Sequence, residues 1–287
     1  MEKDVLSVIS AEGKRYSKGQ RLISKYILEN YDKAAFMTAG KLGGTVGVSE
    51  STVVRFAAEL GYDGYPGMRK ALQEMIRNRL TSVQRIEVAK ELMGDSDVLK
   101  AVLSSDMDKL EKTLETIDQV SFDSAVEAIL KADHVYIVGM RSSAGLASFM
   151  AYYLNLLRDN VFLLHDNAVN EIYEQVLRIG PNDVFIGVSY PRYSTRTIKA
   201  MRFAGNNGAT TISLTDGDTS PLTDISDIAL FARSDMVSFL DSLVAPLSLI
   251  NALIVSIGLH KKDELSETFK RLETVWLENE VYEQSEN

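Results

Sequence analysis

The chain has 287 residues, 45% hydrophobic and 25% charged, an ordinary globular composition with enough length for two domains. It contains no cysteine, which excludes a disulfide framework and any cysteine-ligated zinc or iron–sulfur site and fits a reducing cytoplasm. The net charge of −9 is unevenly placed: residues 1–79 hold 13 Lys/Arg against 9 Asp/Glu, and the remainder holds 18 against 31. Local charge guides contact with phosphate more than the total does, so the N-terminal part keeps the balance of a nucleic-acid binder.

The first nineteen residues carry scattered charges and no apolar core, so no export signal is expected. Ser17 precedes an amphipathic helix with Leu22, Ile23, Tyr26 and Ile27 at helical spacing. A second, short helix runs from Thr38 to Val46 despite Gly40, Gly43 and Gly44, each of which costs about 1 kcal/mol relative to alanine, so its neighbours must hold it. After the turn at Gly47-Val48 comes the stretch Ser49–Tyr62. Ser49 is placed to cap it, Glu50 complements the positive helix end and Gly61 terminates it. Val53, Phe56, Ala57 and Leu60 form the stripe expected to be buried, leaving Ser51 and Arg55 outward with Thr52 and Glu59 on the flank. Two hydroxyls and an arginine near a helix N-terminus suit base edges and phosphates in a major groove, although an ordinary surface helix has the same pattern. The tight turn adds weight: Gly43 allows close packing, Gly47 accepts a positive φ, and Leu42, Val48, Val53 and Phe56 supply a small core, as in a helix-turn-helix. The candidate DNA-contacting set is Thr38, Lys41, Ser49, Ser51, Thr52, Arg55 and Arg69. Past Tyr62 the chain is expected to turn through Gly64, Pro66 and Gly67 into a helix bearing Arg69, Lys70, Arg77 and Arg79, which suits backbone phosphates or simply solvent.

Residues 80–121 read as a helical connector with a dimerisation role, its apolar positions being Leu99, Val102, Leu103, Leu110 and Leu114. Beyond Ser121 short apolar runs at 134–139, 161–165, 183–190, 209–216 and 227–233 alternate with helical stretches at Ser143–Leu157, Val169–Leu177 and Thr195–Asn206. That alternation predicts a five-stranded parallel sheet with helices on both faces, whose ligands bind beyond the carboxyl ends of the strands. Two of the strand ends run into hydroxyl-rich helix starts, Gly139-Met140-Arg141-Ser142-Ser143 and Ser189 through Thr197, and a third leads into Thr215-Asp216-Gly217-Asp218. The run from Val244 to Leu259 contains Pro246, Ser248, Asn251 and Ser256 and reads as a core helix, not a membrane span.

These residues resemble the RpiR/MurR family of bacterial transcriptional regulators. GVSESTVVRFAAELGYDGY is similar to the family's helix-turn-helix, and VGMRSS, IGVSYPRYSTRT and SLTDGDTSPLTDISD resemble its sugar isomerase (SIS) domain. The resemblance implies an all-α helix-turn-helix domain (1–79), the connector (80–121), a flavodoxin-like α/β SIS domain (122–265) and a helical tail (266–287). It also implies a cytoplasmic homodimer or homotetramer that binds double-stranded operator DNA of carbohydrate genes under control of a sugar-derived effector, with no cofactor, metal, membrane or catalytic residue. Carried over by position, Ser142 and Ser143 match one phosphate-binding loop and Ser189, Ser194 and Thr197 the other. The pattern S-x-S-G-x-T is broken by Pro191 and Arg192: proline has no N–H to donate, whereas arginine offers a charged grip. The candidate effector set is therefore Arg141, Ser142, Ser143, Ser189, Arg192, Ser194 and Thr197, and the effector anionic. Two other functions fit less well. A ketose–aldose isomerase would need a base such as Glu171, His165 or Asp166, and a protein-binding adaptor would have no salt-dependent DNA affinity.

Overall fold

The computed structural model describes residues 5–11, 16–76, 81, 83–87, 97–165, 171–235 and 240–282. The chain divides into two compact units, residues 1–102 with 236–241 and residues 103–235 with 242–287. Arg77, Arg79 and Asp166 lie outside the described residues.

The first unit is helical: α1 (Val5–Ala11), α2 (Lys18–Glu29), α3 (Tyr31–Ala34), α4 (Ala39–Val46), α5 (Glu50–Glu59), α6 (Gly64–Ile76) and a segment α7 described over 83–87. Ser17 caps α2 in a full capping box with Gln20, and Thr38 and Ser49 cap α4 and α5 through bonds from Lys41 N and Thr52 N. Ile23, Ile27, Leu42, Val53, Phe56, Met68, Leu72 and Ile76 are fully buried, and the edge of Tyr16 meets the Phe56 ring at 5.2 Å. Leu60, expected in the buried stripe, is only half-buried at the C-cap of α5. The expected turn at residues 64–67 is instead the first turn of α6. Pro66 fits there because the first N–H groups of a helix have no intrahelical acceptor, so nothing is lost by lacking one.

The second unit is a five-stranded parallel sheet of order β2-β1-β3-β4-β5, with β1 Val135–Gly139, β2 Val161–Leu163, β3 Val184–Val188, β4 Thr210–Thr215 and β5 Ile228–Phe231. Its helices are α8 (Val98–Thr116, which begins before the unit boundary), α9 (Gln119–Lys131), α10 (Ser143–Leu157), α11 (Glu171–Gln175), α12 (Thr195–Asn206), α13 (Val244–His260) and α14 (Lys262–Glu278). Alternate residues of each strand enter different cores. Val135, Ile137, Val184 and Ile186 pack with α9, α10 and α13, while Tyr136, Val138 and Phe185 pack with α11 and α12. Covered on both sides, β1 and β3 are buried along their whole length, which is why their sequences read as unbroken apolar runs. The helix expected over 169–177 is described only as Glu171–Gln175. No single described helix is long and apolar enough to cross a membrane, and the pair α13–α14 reaches that composition only across a 100° bend.

Candidate functional site

Two regions gather the predicted residues, one in each unit. In the first, α4 and α5 are held together at a glycine. A Cβ on Gly43 would sit 2.8 Å from the Val48 carbonyl oxygen, so only hydrogen allows the turn to fold back onto α4, and Gly47 caps α4 at φ 76°. The second helix then stands with Val53, Phe56 and Ala57 inward. Ser51 and Arg55 are exposed and Thr52 is half-buried, as the sequence predicts. The hydroxyls of Ser51 and Thr52 lie 2.9 and 2.8 Å from Ser49 Oγ, forming a polar cluster at the positive end of α5. Arg55 Nε donates to the Ser51 carbonyl at 3.4 Å. Lys41 is exposed on α4, and Thr38 is engaged as its cap. Arg69 is half-buried on α6, where its charge acts on the Tyr65 phenol, a location apart from the α5 hydroxyls in the chain. Gln20 Nε2 donates to Glu59 Oε2 at 2.6 Å and fixes α5 against α2.

In the second unit the sheet order decides where a ligand fits. From β1 the chain moves outward to β2, and from β3 it moves the other way to β4, so the reversal lies between the adjacent strands β1 and β3. Both hydroxyl-rich loops flank that point. Gly139 ends β1, and a Cβ there would overlap the Ser143 carbonyl group, so the N-terminus of α10 is drawn against the strand end. Arg141 takes a left-handed conformation (φ 55°) in this loop. Ser142 occupies the N-cap position without a side-chain capping bond and is exposed, whereas Ser143 is buried.

After β3, Ser189 is buried and its Oγ accepts the Ser194 N–H at 3.1 Å, while Ser194 Oγ accepts from Thr197 N at 3.4 Å and caps α12. Each serine uses a lone pair on the loop and keeps its hydroxyl proton for another acceptor. Arg192, like Arg141, is an exposed arginine at positive φ (63°), so both loops hold a cation in a conformation that L residues seldom adopt. Thr197 is fully buried in the first turn of α12, and its Oγ1 meets no hydrogen-bond partner among the described residues.

A polar network supports this loop from β4. Thr215 Oγ1 lies 2.8 Å from the Ser189 carbonyl, 3.1 Å from Asp216 Oδ1 and 2.7 Å from Ser220 Oγ, and Tyr193 Oη donates to Asp216 Oδ1 at 2.7 Å. Tyr190 is buried, its hydroxyl without a partner among the described residues, and burial, with the nearby Asp216 charge, holds that phenol far above the usual tyrosine range. Tyr190, Tyr193 and Asp216 are absent from the sequence-predicted set; the only signal for them was an aspartate directly after a strand. His165 is exposed, its backbone N–H and carbonyl clasped by the Gln175 side chain at 3.1 and 2.5 Å, and Glu171 begins the short α11.

Comparison with known proteins finds a family match in each unit. Residues 3–79 match the helix-turn-helix domain of the rpiR family, and residues 128–256 match the SIS domain. The sugar isomerase domain of an RpiR transcription factor from Sphaerobacter thermophilus is 30% identical, covering 62% of this chain and 98% of that one, with a TM-score of 0.59. The NanR protein of Vibrio vulnificus, solved in complex with ManNAc-6P, shares the fold over 95% of this chain and 98% of that one, at 24% identity and a TM-score of 0.58. The HTH-type transcriptional regulator HexR of Pseudomonas aeruginosa is 23% identical over 274 residues, 94% of each chain. With its helix-turn-helix domain followed by a SIS domain, the chain belongs to the rpiR family of transcriptional regulators.

Proposed function

We propose that this regulator docks α5 in the major groove of an operator controlling carbohydrate genes, and that an anionic sugar-derived metabolite at the β1–β3 switch point controls the docking. In this reading Ser51, Thr52 and Arg55 contact bases and phosphates, with Thr38, Lys41, Ser49 and Arg69 in supporting backbone contacts. Ser142, Ser143, Ser189, Ser194 and Thr197 surround the effector's anionic group, and Arg141 and Arg192 neutralise it. The observation that carries the effector half is Thr197: a fully buried, unpartnered hydroxyl at a helix N-terminus is costly in the free protein and is satisfied by an anion bound there. That NanR is complexed with ManNAc-6P supports a sugar derivative. We read the protein as a cytoplasmic homo-oligomer without isomerase activity, since its SIS domain is joined to a helix-turn-helix domain.

The test is a gel shift on DNA upstream of the protein's own gene at several salt concentrations, with a thermal-shift screen of phosphorylated sugars and sugar acids. Salt-dependent binding that a thermal-shift hit alters is expected; no DNA affinity at low salt overturns the reading. Arg192→Ala should abolish the response to the hit and leave DNA affinity unchanged. A wild-type response in that variant removes the arginine from the site.

A further inference from the structure

Helix α8 is built the wrong way round for a surface helix. Apart from Leu110, which packs against the unit's core, the face it turns to its own unit is polar: Lys109 is 2% exposed, Ser242 Oγ donates to Asp106 Oδ1 at 2.5 Å, and the Arg233 N–H donates to Thr113 Oγ1 at 2.9 Å. About a quarter turn away, Leu103, Met107 and Leu114 fall within roughly 40° of one another on the helix and stand in solvent, at 54%, 69% and 78% exposure. Ordinary amphipathic helices bury the apolar stripe and leave the charges out. An exposed stripe on a helix anchored by its polar side points to a covering partner.

The sequence of the stripe says what that partner is. With Leu110, which is half-buried at its edge, the positions 103, 107, 110 and 114 alternate in steps of four and three, the seam of one helix packing against another. The flank beside it carries Lys100 near one end and Glu111 and Glu115 near the other. A copy related by a two-fold axis near Met107 runs antiparallel and sets the same flank of both helices together, so each Lys100 faces the acidic end of its partner, whereas a parallel copy sets each flank against the opposite one and forgoes this pairing.

We infer that α8 pairs antiparallel with α8 of a second copy of this chain, through Leu103, Met107, Leu110 and Leu114. This deepens the oligomeric part of the reading above. The experiment measures the mass of the full chain by sedimentation and compares it with the double variant Met107→Glu/Leu114→Glu, with circular dichroism as the folding control. A wild type larger than a monomer, and a smaller mass for a folded variant, are expected. An unchanged mass in a folded variant overturns this interface alone; a monomeric wild type overturns it together with the oligomeric reading, while leaving DNA and effector binding to their own tests. Because the chain lacks cysteine, Met107→Cys supplies an independent check that does not depend on the charged variant folding. A short bismaleimide should link two Met107→Cys chains, and should fail to link Lys112→Cys chains, whose position lies on the far side of the helix. Failure of Met107→Cys to cross-link within an oligomer overturns the proposal.

Discussion

The two units hold their candidate functional groups in different ways. On α5, Ser51 and Arg55 stand exposed above an apolar core that owes them nothing, whereas at the sheet edge Ser143, Ser189 and Thr197 are themselves buried, with Arg141, Ser142 and Arg192 exposed beside them. The difference follows from the target. A DNA groove receives a convex element, so its readers stay in water until they dock. A small ligand of the kind proposed is enclosed, so the hydroxyls proposed to meet it are mostly buried beforehand, where each polar group needs a partner or carries a cost. Binding and folding are therefore separable on α5 and entangled at the β1–β3 edge.

The largest expected effect probes the separable side. Arg55→Ala should weaken operator binding by about 1–3 kcal/mol if the side chain reads a base, and should leave the melting temperature unchanged because Arg55 packs against nothing in the core. Loss of stability together with affinity would mean that α5 is not the free-standing reader described. The glycines of α4 sharpen the same contrast. Gly44→Ala meets nothing within 4 Å and should stabilise the unit by about 1 kcal/mol through helix propensity. Gly43→Ala gains the same propensity but drives a methyl to 2.8 Å from the Val48 carbonyl, and should cost about 1–2 kcal/mol net. Thermal melts of the two variants moving the same way would show that the turn has room to yield.

Much of this was legible in the sequence because its signals are local. Caps at Ser17, Thr38, Ser49 and Ser194 sit next to the N–H groups they satisfy, and α10 and α12 span the predicted residues. The central strands β1 and β3 were marked by unbroken apolar runs of the kind a doubly covered sheet produces. What escaped depended on distant pairs or on context. The Tyr193–Asp216 bond joins residues 23 apart, and nothing near either one announces it. Pro66 read as a turn because proline usually interrupts a helix, and only its place in the first turn makes it harmless. The stripe on α8 had the right spacing, but spacing alone does not say which face the rest of the chain takes.

A smaller effect comes from Tyr65, which is buried and donates towards the carbonyls of Ala34 and Met37 at 3.3 and 3.1 Å. Burial, opposed by the Arg69 charge, pushes its pKa up to about 12. Between the unfolded value near 10 and about 12 the unfolded chain has released a proton that the folded chain keeps, so stability falls as pH rises through that window. Tyr65→Phe should cost about 1 kcal/mol at neutral pH and flatten that alkaline decline. A decline as steep as in the wild type, read from melts between about pH 9 and about pH 11, would assign it to other phenols.

The entangled side predicts a change of sign. Thr197→Val keeps the shape of the side chain beside Met201 and Gly187 and removes only the Oγ1 that finds no partner in its buried position. An unpaired buried hydroxyl costs desolvation and returns nothing, so the variant should melt higher than wild type, by up to about 1 kcal/mol. It should also lose most of the thermal shift that the anionic effector gives the wild type, since the removed hydroxyl is the group the ligand would satisfy. Higher stability with an undiminished ligand shift would leave Thr197 a packing defect unrelated to binding. Lower stability would mean that its hydroxyl is satisfied in the free protein. Only the combined result, a gain in folding and a loss in binding, marks a residue whose cost to the native state is recovered when the ligand arrives.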